Sequence, residues 1–325
     1  AVIFTSKNAM DHYFGMMEKL RLRIPDFTKY FCVSEAIAHY LQNFINYRKR
    51  KVFTGEQIKQ YERDGWVSPV DFLTSQQAAK CRSQLEAWEL LRGGSLPANE
   101  RSGGHILFPW IDELMRADKI LDAVEDLIGP NILCWNSVFW IKEAQSPSYV
   151  GWHQDLQYWG LSNSDVVSIW IALSDASEDA GCMNVIPGSH KEIMDHAETY
   201  AKNNLLSRGQ ELEINISQTD TVSMALKAGQ VSFHNVRTAH GSGPNKTNDR
   251  RIGLSLHYMP PHTQQTLSEW DSASLVRGED LYQHFEHCPQ PSTDLEPNAV
   301  SFHKRASDAM REIIYKGSDA ETRTL

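Results

Sequence analysis

The nine residues RIGLSLHYM (251–259) separate into two faces. Side chains of a strand alternate, so Ile252, Leu254, Leu256 and Tyr258 share one side and Arg251, Gly253, Ser255 and His257 the other. The oily side calls for helices or a second sheet to cover it. The other is small and polar, with a guanidinium at its start. VVSIWIAL (166–173) has the same form: Val167, Ile169, Ile171 and Leu173 oppose Ser168, Trp170 and Ala172, a set suited to lining a cavity. NILCWNSVFWIK (131–142) and GQVSFHN (229–235) are also β-rich, and Gly/Pro/Asn/Asp/Ser clusters such as SDASEDAG and GSGPNKTNDR separate these segments.

Upstream the period changes. Thr54 precedes Gln57 by three residues, a capping-box spacing that starts a helix expected to stop at Gly65. A short strand is expected over Trp66 to Phe72. A second helix starts at Thr74 or Ser75 and stops at Gly93-Gly94, and a third, in MRADKILDAVEDLIGP, stops at Gly129-Pro130. Residues 1–51 read as a helical extension, with Ile37, Leu41, Phe44 and Ile45 about one helical face apart. That extension is expected to pack over the main domain or to make a homo-oligomer contact. From about 262 the text reads as polar and helical, ending in SFHKRASDAMREIIYKG and a frayed SDAETRTL. Helices first and short strands afterwards predict a mainly β fold with flanking helices: a jelly-roll core over about 131–260 within a domain of 52–325.

Composition narrows the partners. The 325 residues are 41% hydrophobic and 22% charged, with a formal net charge of −9, which disfavours nucleic acid. The basic run Arg48 to Lys51 reads as a solvated helix end. Five cysteines at wide spacing, without CxxC, speak against a disulfide framework and for a reducing, cytoplasmic setting. No apolar run approaches the ~18 residues of a membrane span, and no signal-peptide pattern opens the chain. The first residue is Ala1, so a few residues are expected to precede it.

Candidate chemistry starts at GWHQDLQYWG (151–160). His153 and Asp155, two apart on a strand end, project together, with Gln154 as an outward spacer. A second, distant histidine would complete a two-His, one-carboxylate set, which leaves three metal positions open and suits non-heme iron and dioxygen. His234 and His240 are the candidates. His240 is preferred for its following Gly241-Ser242-Gly243 turn and its distance from Arg251, whose guanidinium needs an anion such as a carboxylate. His234 and His257 are candidates for orienting a ligand. His190, His196, His262, His284, His287 and His303 read as loop or surface residues. No GxSxG, P-loop, GxGxxG or HExxH occurs.

Taken together and in order, WHQDLQYW, WIALSDASEDAGCMNVIPGSHK and HGSGPNKTNDRRIGLSLHY resemble the phytanoyl-CoA dioxygenase family over about residues 53–260. That resemblance implies an iron(II)- and 2-oxoglutarate-dependent oxygenase on a double-stranded β-helix. It implies iron ligands His153, Asp155 and His240, a 2-oxoglutarate carboxylate held by Arg251 and Ser242, and Trp170 bordering the co-substrate. Dioxygen is then consumed, succinate and CO2 are released, and a small-molecule C–H is hydroxylated. Desaturation, cyclisation and demethylation use the same set. Family members that halogenate lack the acid, so Asp155 favours hydroxylation. Trp140, Lys142, Trp152, Tyr158, Trp159 and His105 are the expected substrate contacts. A non-enzymatic jelly-roll binding protein and a zinc hydrolase or isomerase are the competing readings.

Overall fold

The structure is a computed structural model that describes residues 1–22, 24, 28, 30–41, 43–45, 52–97, 100–216 and 219–318. The chain divides into two compact units, Ala1–Val52 and Phe53–Leu325.

The first unit corrects the all-helical expectation. Its elements are β1 (Val2–Phe4), α1 (Lys7–Lys19), β2 (Tyr30–Cys32) and α2 (Glu35–Leu41), and β1 pairs with β2 in parallel. Buried Phe4, Met10 and Leu41 collect Tyr13, Phe14, Tyr30 and Phe44 around them, with the Phe14 and Phe44 rings stacked at 4.6 Å. Short β segments between helices have no periodicity long enough to announce them. The basic run 48–51 lies outside the described residues, as do the last seven residues of the chain.

In the second unit α3 (Gly55–Asp64), β3 (Trp66–Asp71), α4 (Ser75–Arg92), α5 (Gly104–Leu107), α6 (Pro109–Met115) and α7 (Asp118–Ile128) lead into β4 (Ile132–Lys142). Then follow β5 (Val150–His153), β6 (Val167–Ala172), β7 (Met183–Val185), β8 (His196–Glu198), β9 (Gln210–Leu212), β10 (Val222–Ser223), β11 (Gln230–Asn235), β12 (His240–Ser242) and β13 (Arg251–Met259). β14 (Ser272–Arg277), β15 (Glu286–His287) and α8 (Pro297–Tyr315) complete it. The predicted capping box of Thr54 with Gln57 forms on α3, and Thr74, one of the two expected caps, forms a second one with Gln77 on α4. Gly65 and Gly93 close these helices in the left-handed conformation, where a side chain would be strained.

A seven-stranded sheet, ordered β15-β14-β4-β13-β6-β11-β3, faces a four-stranded sheet, β10-β7-β12-β5, across a cavity. This is the two-sheet jelly roll that the helix-then-strand order predicts. The oily face of β13 (Ile252, Leu254, Leu256, Tyr258) joins Ile169 and Ile171 of β6 beneath a helical layer that includes Leu85, Ile111, Met115, Ile120 and Val124. Tyr258 reaches that layer with its hydroxyl, which donates to the Met115 carbonyl at 2.8 Å. β14 corrects the reading of the stretch after 262 as helical: it is a strand paired to β4. The two short helices α5 and α6 were likewise not anticipated, because four and seven residues are too few to show a helical period.

Candidate active site

β5 and β12 are antiparallel neighbours, and His153 lies opposite His240. That pairing brings the two imidazoles to a centroid separation of 4.2 Å. Asp155 opens a short 3-10 turn (Asp155–Tyr158) directly after β5, and the extended backbone of Gln154 carries the strand's alternation through to it. His153 Nε2 is 3.3 Å and His240 Nε2 3.9 Å from Asp155 Oδ1. One donor atom from each of the three side chains lies within 4.8 Å of the others.

Hydrogen bonds fix which atoms face the centre. His153 Nδ1 donates to the Gly151 carbonyl and His240 Nδ1 to the Thr238 carbonyl, both at 2.9 Å. A carbonyl can only accept, so the proton sits on Nδ1 and each Nε2 lone pair is free for a metal. The Ser168 hydroxyl donates to Asp155 Oδ2 at 3.2 Å, and it lies 2.9 Å from His257 Nδ1. Its single proton is thus committed, and His257 Nδ1–H donates to it. Burial, then His153, pushes the His240 pKa down to about 4, keeping the imidazole neutral. Burial alone would raise Asp155, but His240 and His153 hold it below the ordinary carboxylate range. Two imidazoles and one carboxylate form a donor set suited to a divalent transition metal.

Arg251 opens β13 and points into the same cavity. It is 2% exposed, and its Nε and Nη2 have no hydrogen-bond partner. Burial lowers its pKa to about 10, which leaves it charged at neutral pH. Its guanidinium lies 5.2 Å from the Trp170 ring centre. Gly253, the next residue on that face, leaves room for this indole, since an added Cβ would collide with it. A buried, charged, half-unpaired guanidinium is costly unless an anion arrives.

Lys142 corrects the expectation of an entrance residue. It is fully buried, and its Nζ donates to the Ser242 hydroxyl at 2.7 Å and to the Gly243 carbonyl. Burial, then Arg251, lowers its pKa to about 6. Because Lys142 donates to Ser242 Oγ, the serine proton is left to point elsewhere. Trp152 packs on Gly241 and lines neither of the two cavities that meet at the metal donors. His105 is also buried away from both, bonded through Nδ1 to the Ser137 hydroxyl at 2.8 Å. Gln154 is not an outward spacer: it is buried, its amide nitrogen donates to the carbonyls of Ser189, Glu192 and Arg237, and its oxygen accepts from Met194 N. His196, read as a loop or surface residue, is half-buried and accepts the Gln154 backbone N–H at 2.9 Å.

Two cavities meet at His153 and Asp155, and His240 lines the first of them. One, about 440 Å³, is lined by Arg251, Ser242, Trp170, Met183 and His234. The other, about 640 Å³, is lined by Trp135, Asn136, Tyr158, Trp159 and residues of α8. Trp140, His153, Asp155 and His257 border both. Strand parity singles out Arg251 and Trp170 of the first wall, but not Met183. It missed Trp135, because β4 carries a bulge there: Asn136 pairs with His257 and Cys134 with Tyr258, leaving Trp135 unopposed.

A family model described as phytanoyl-CoA dioxygenase matches residues 61–253, more than half of the chain. The chain belongs to the phytanoyl-CoA dioxygenase family. A probable alpha-ketoglutarate-dependent hypophosphite dioxygenase of Stutzerimonas stutzeri is 32% identical over 223 residues, 62% of this chain and 77% of that protein. Human peroxisomal phytanoyl-CoA dioxygenase is 26% identical over 234 residues, 64% of this chain and 68% of that one. Among solved structures, the non-heme monooxygenase ThoJ, in its apo form, superposes with a TM-score of 0.71 at 30% identity, covering 80% of this chain and 98% of that one. The family segment ends within β13, so α8 lies outside it.

Proposed function

We propose that this member of the phytanoyl-CoA dioxygenase family hydroxylates an unactivated C–H bond of a small-molecule metabolite, with His153, Asp155 and His240 holding the iron. The class itself, an iron(II)- and 2-oxoglutarate-dependent oxygenase acting on a small molecule, follows from the family. The observation that carries the assignment of residues is the buried Arg251 with two unpartnered guanidinium nitrogens in the cavity that the three metal donors border.

Each group has a task set by its surroundings. Gly151 and Thr238 carbonyls hold the imidazoles with Nε2 inward. Ser168 holds one carboxylate oxygen of Asp155 and frees the other. Arg251 and the Ser242 hydroxyl bind the distal carboxylate of 2-oxoglutarate, and Lys142 orients that hydroxyl. Trp170 forms the side of this compartment. Iron with 2-oxoglutarate and dioxygen supplies the oxidising power that an unactivated C–H bond requires. The apolar rings of Trp140 and Trp159 exclude water from the junction where substrate and metal donors meet. Asp155 would take a place at the iron that a halide needs, which favours hydroxylation over halogenation.

The test is succinate release by the purified chain with iron(II), 2-oxoglutarate and air across a metabolite panel. Succinate should form with iron, and His153→Ala should abolish it. Turnover that survives His153→Ala, or that proceeds with zinc in place of iron, would refute the assignment.

A further inference from the structure

The larger cavity states what kind of molecule it takes. Resting on the oxygenase reading above, we propose that its substrate is an uncharged, largely apolar, ring-bearing small molecule, and that Met310 and Ile314 of α8 select it.

Three observations lead there. The first is charge. Among the described residues lining this cavity there is no Lys, Arg or Glu, and Asp155, a metal donor, is its single carboxylate. A thioester of CoA, a phosphorus oxyanion or a zwitterion would bury charge with nothing to pair it. Arg208 does not line the cavity: its charge is matched by Glu198, its Nη1 donates to the Ile314 carbonyl, and its guanidinium lies 5.0 Å from the Tyr158 ring centre, with Nε left without a partner. Neutral polar groups are present, namely the amides of Asn136 and Gln210 and the hydroxyls of Ser102 and Ser207, enough to orient one or two hydroxyl or carbonyl groups.

The second is a preformed aromatic wall. Trp135 and Trp159 pack at 4.9 Å between ring centres. Trp135 Nε1 donates to Asp271 Oδ2 at 2.8 Å, and Gln265 Nε2 donates both to Asp271 Oδ2 at 2.9 Å and to the Trp159 carbonyl at 3.1 Å. The Trp135 indole is thus anchored through its N–H and Trp159 through its backbone carbonyl, and both residues line the cavity. Rings fixed in advance favour a flat, rigid ligand.

The third is the far wall. Met310 and Ile314, four residues apart, share one face of α8 and line the cavity. The helix is tied down at several points. Tyr315 Oη donates to the Ser207 carbonyl at 2.9 Å, Arg208 Nη1 to the Ile314 carbonyl at 3.0 Å, and His303 Nε2 to the Ser102 carbonyl at 2.8 Å. α8 lies outside the segment that the family model matches.

Equilibrium dialysis of the full chain, loaded with Mn(II) and 2-oxoglutarate, tests this. The probes are naringenin, testosterone and borneol as neutral ring compounds, and L-proline, hypophosphite and octanoyl-CoA as charged ones. At least one ring compound should bind with Kd below about 1 mM, the charged probes should bind more weakly, and Ile314→Trp and Met310→Ala should each weaken the ring compound about 10-fold. If no ring compound binds, if a charged probe binds better, or if neither variant changes affinity, the proposal fails. Succinate release by the iron-loaded chain separates the two readings. Ring binding without any succinate would sink the oxygenase assignment alone. Succinate formation stimulated by a charged probe alone would sink this inference alone.

Discussion

Arg251 carries the most information of any single residue. Its position at the start of a strand with a small, polar face made its anion visible from the sequence, and its unpartnered nitrogens supply the physical reason. Arg251→Ala should raise the KM for 2-oxoglutarate roughly 100-fold, because it removes the charge that pairs with a desolvated carboxylate. Steady-state kinetics with 2-oxoglutarate as the varied substrate measures it; an unchanged KM would contradict the role. Ser168 acts one step away. Its alternation with Val167 and Ile169 marked it as facing a cavity, but its bond to Asp155 appears only in the fold. Ser168→Ala should weaken iron binding by about 10- to 100-fold, measured by metal titration, because a metal carboxylate loses the group that orients it. Gln154 shows the limit at this scale. Alternation set it opposite His153 and Asp155 but could not show its burial: the segments that close over it, with three carbonyls to receive its amide, come from residues 189–194 and 237, distant in sequence.

Among elements, regular strands were legible and irregular ones were not. β13 occupies the nine residues whose alternation defines it, and the oily face packs under helices as its composition demands. Leu254→Ala, fully buried in that layer, should cost about 2–5 kcal/mol in a urea melt without moving the metal donors. A loss below about 1 kcal/mol would show that the layer is not packed as described. By contrast, Trp135 sits at a bulge, where two residues face one and alternation breaks. The substrate wall drawn from α8 and from residues 205–210 carries no pattern of its own, because its lining positions are set by tertiary contact. The same holds for Lys142, His105 and Trp152, which the sequence reading placed among the substrate contacts. The fold buries Lys142 under Ser242, His105 behind Ser137, and Trp152 against Gly241.

Across the whole molecule, buried histidines set a pH dependence. Burial drives the pKa of His105 down to about 3, and those of His196 and His257 to about 4. An unfolded histidine titrates near 6.5. Between these values the unfolded chain holds more protons, so stability is full above about pH 6.5 and falls as pH drops towards 4. The urea midpoint of the metal-free protein should therefore fall between pH 7.5 and 4.5, with proton uptake on unfolding; a flat midpoint would contradict the buried, neutral imidazoles. The partition into a co-substrate compartment and a substrate compartment, joined at His153 and Asp155, is the larger claim. Calorimetric titration of 2-oxoglutarate into the Mn(II)-loaded chain, its Arg251→Ala variant and its His153→Ala variant tests it most directly. The expected result is one saturable site in the parent chain that weakens roughly 100-fold without Arg251 and disappears without His153. Equal binding by all three proteins, or none by the parent, would contradict the account.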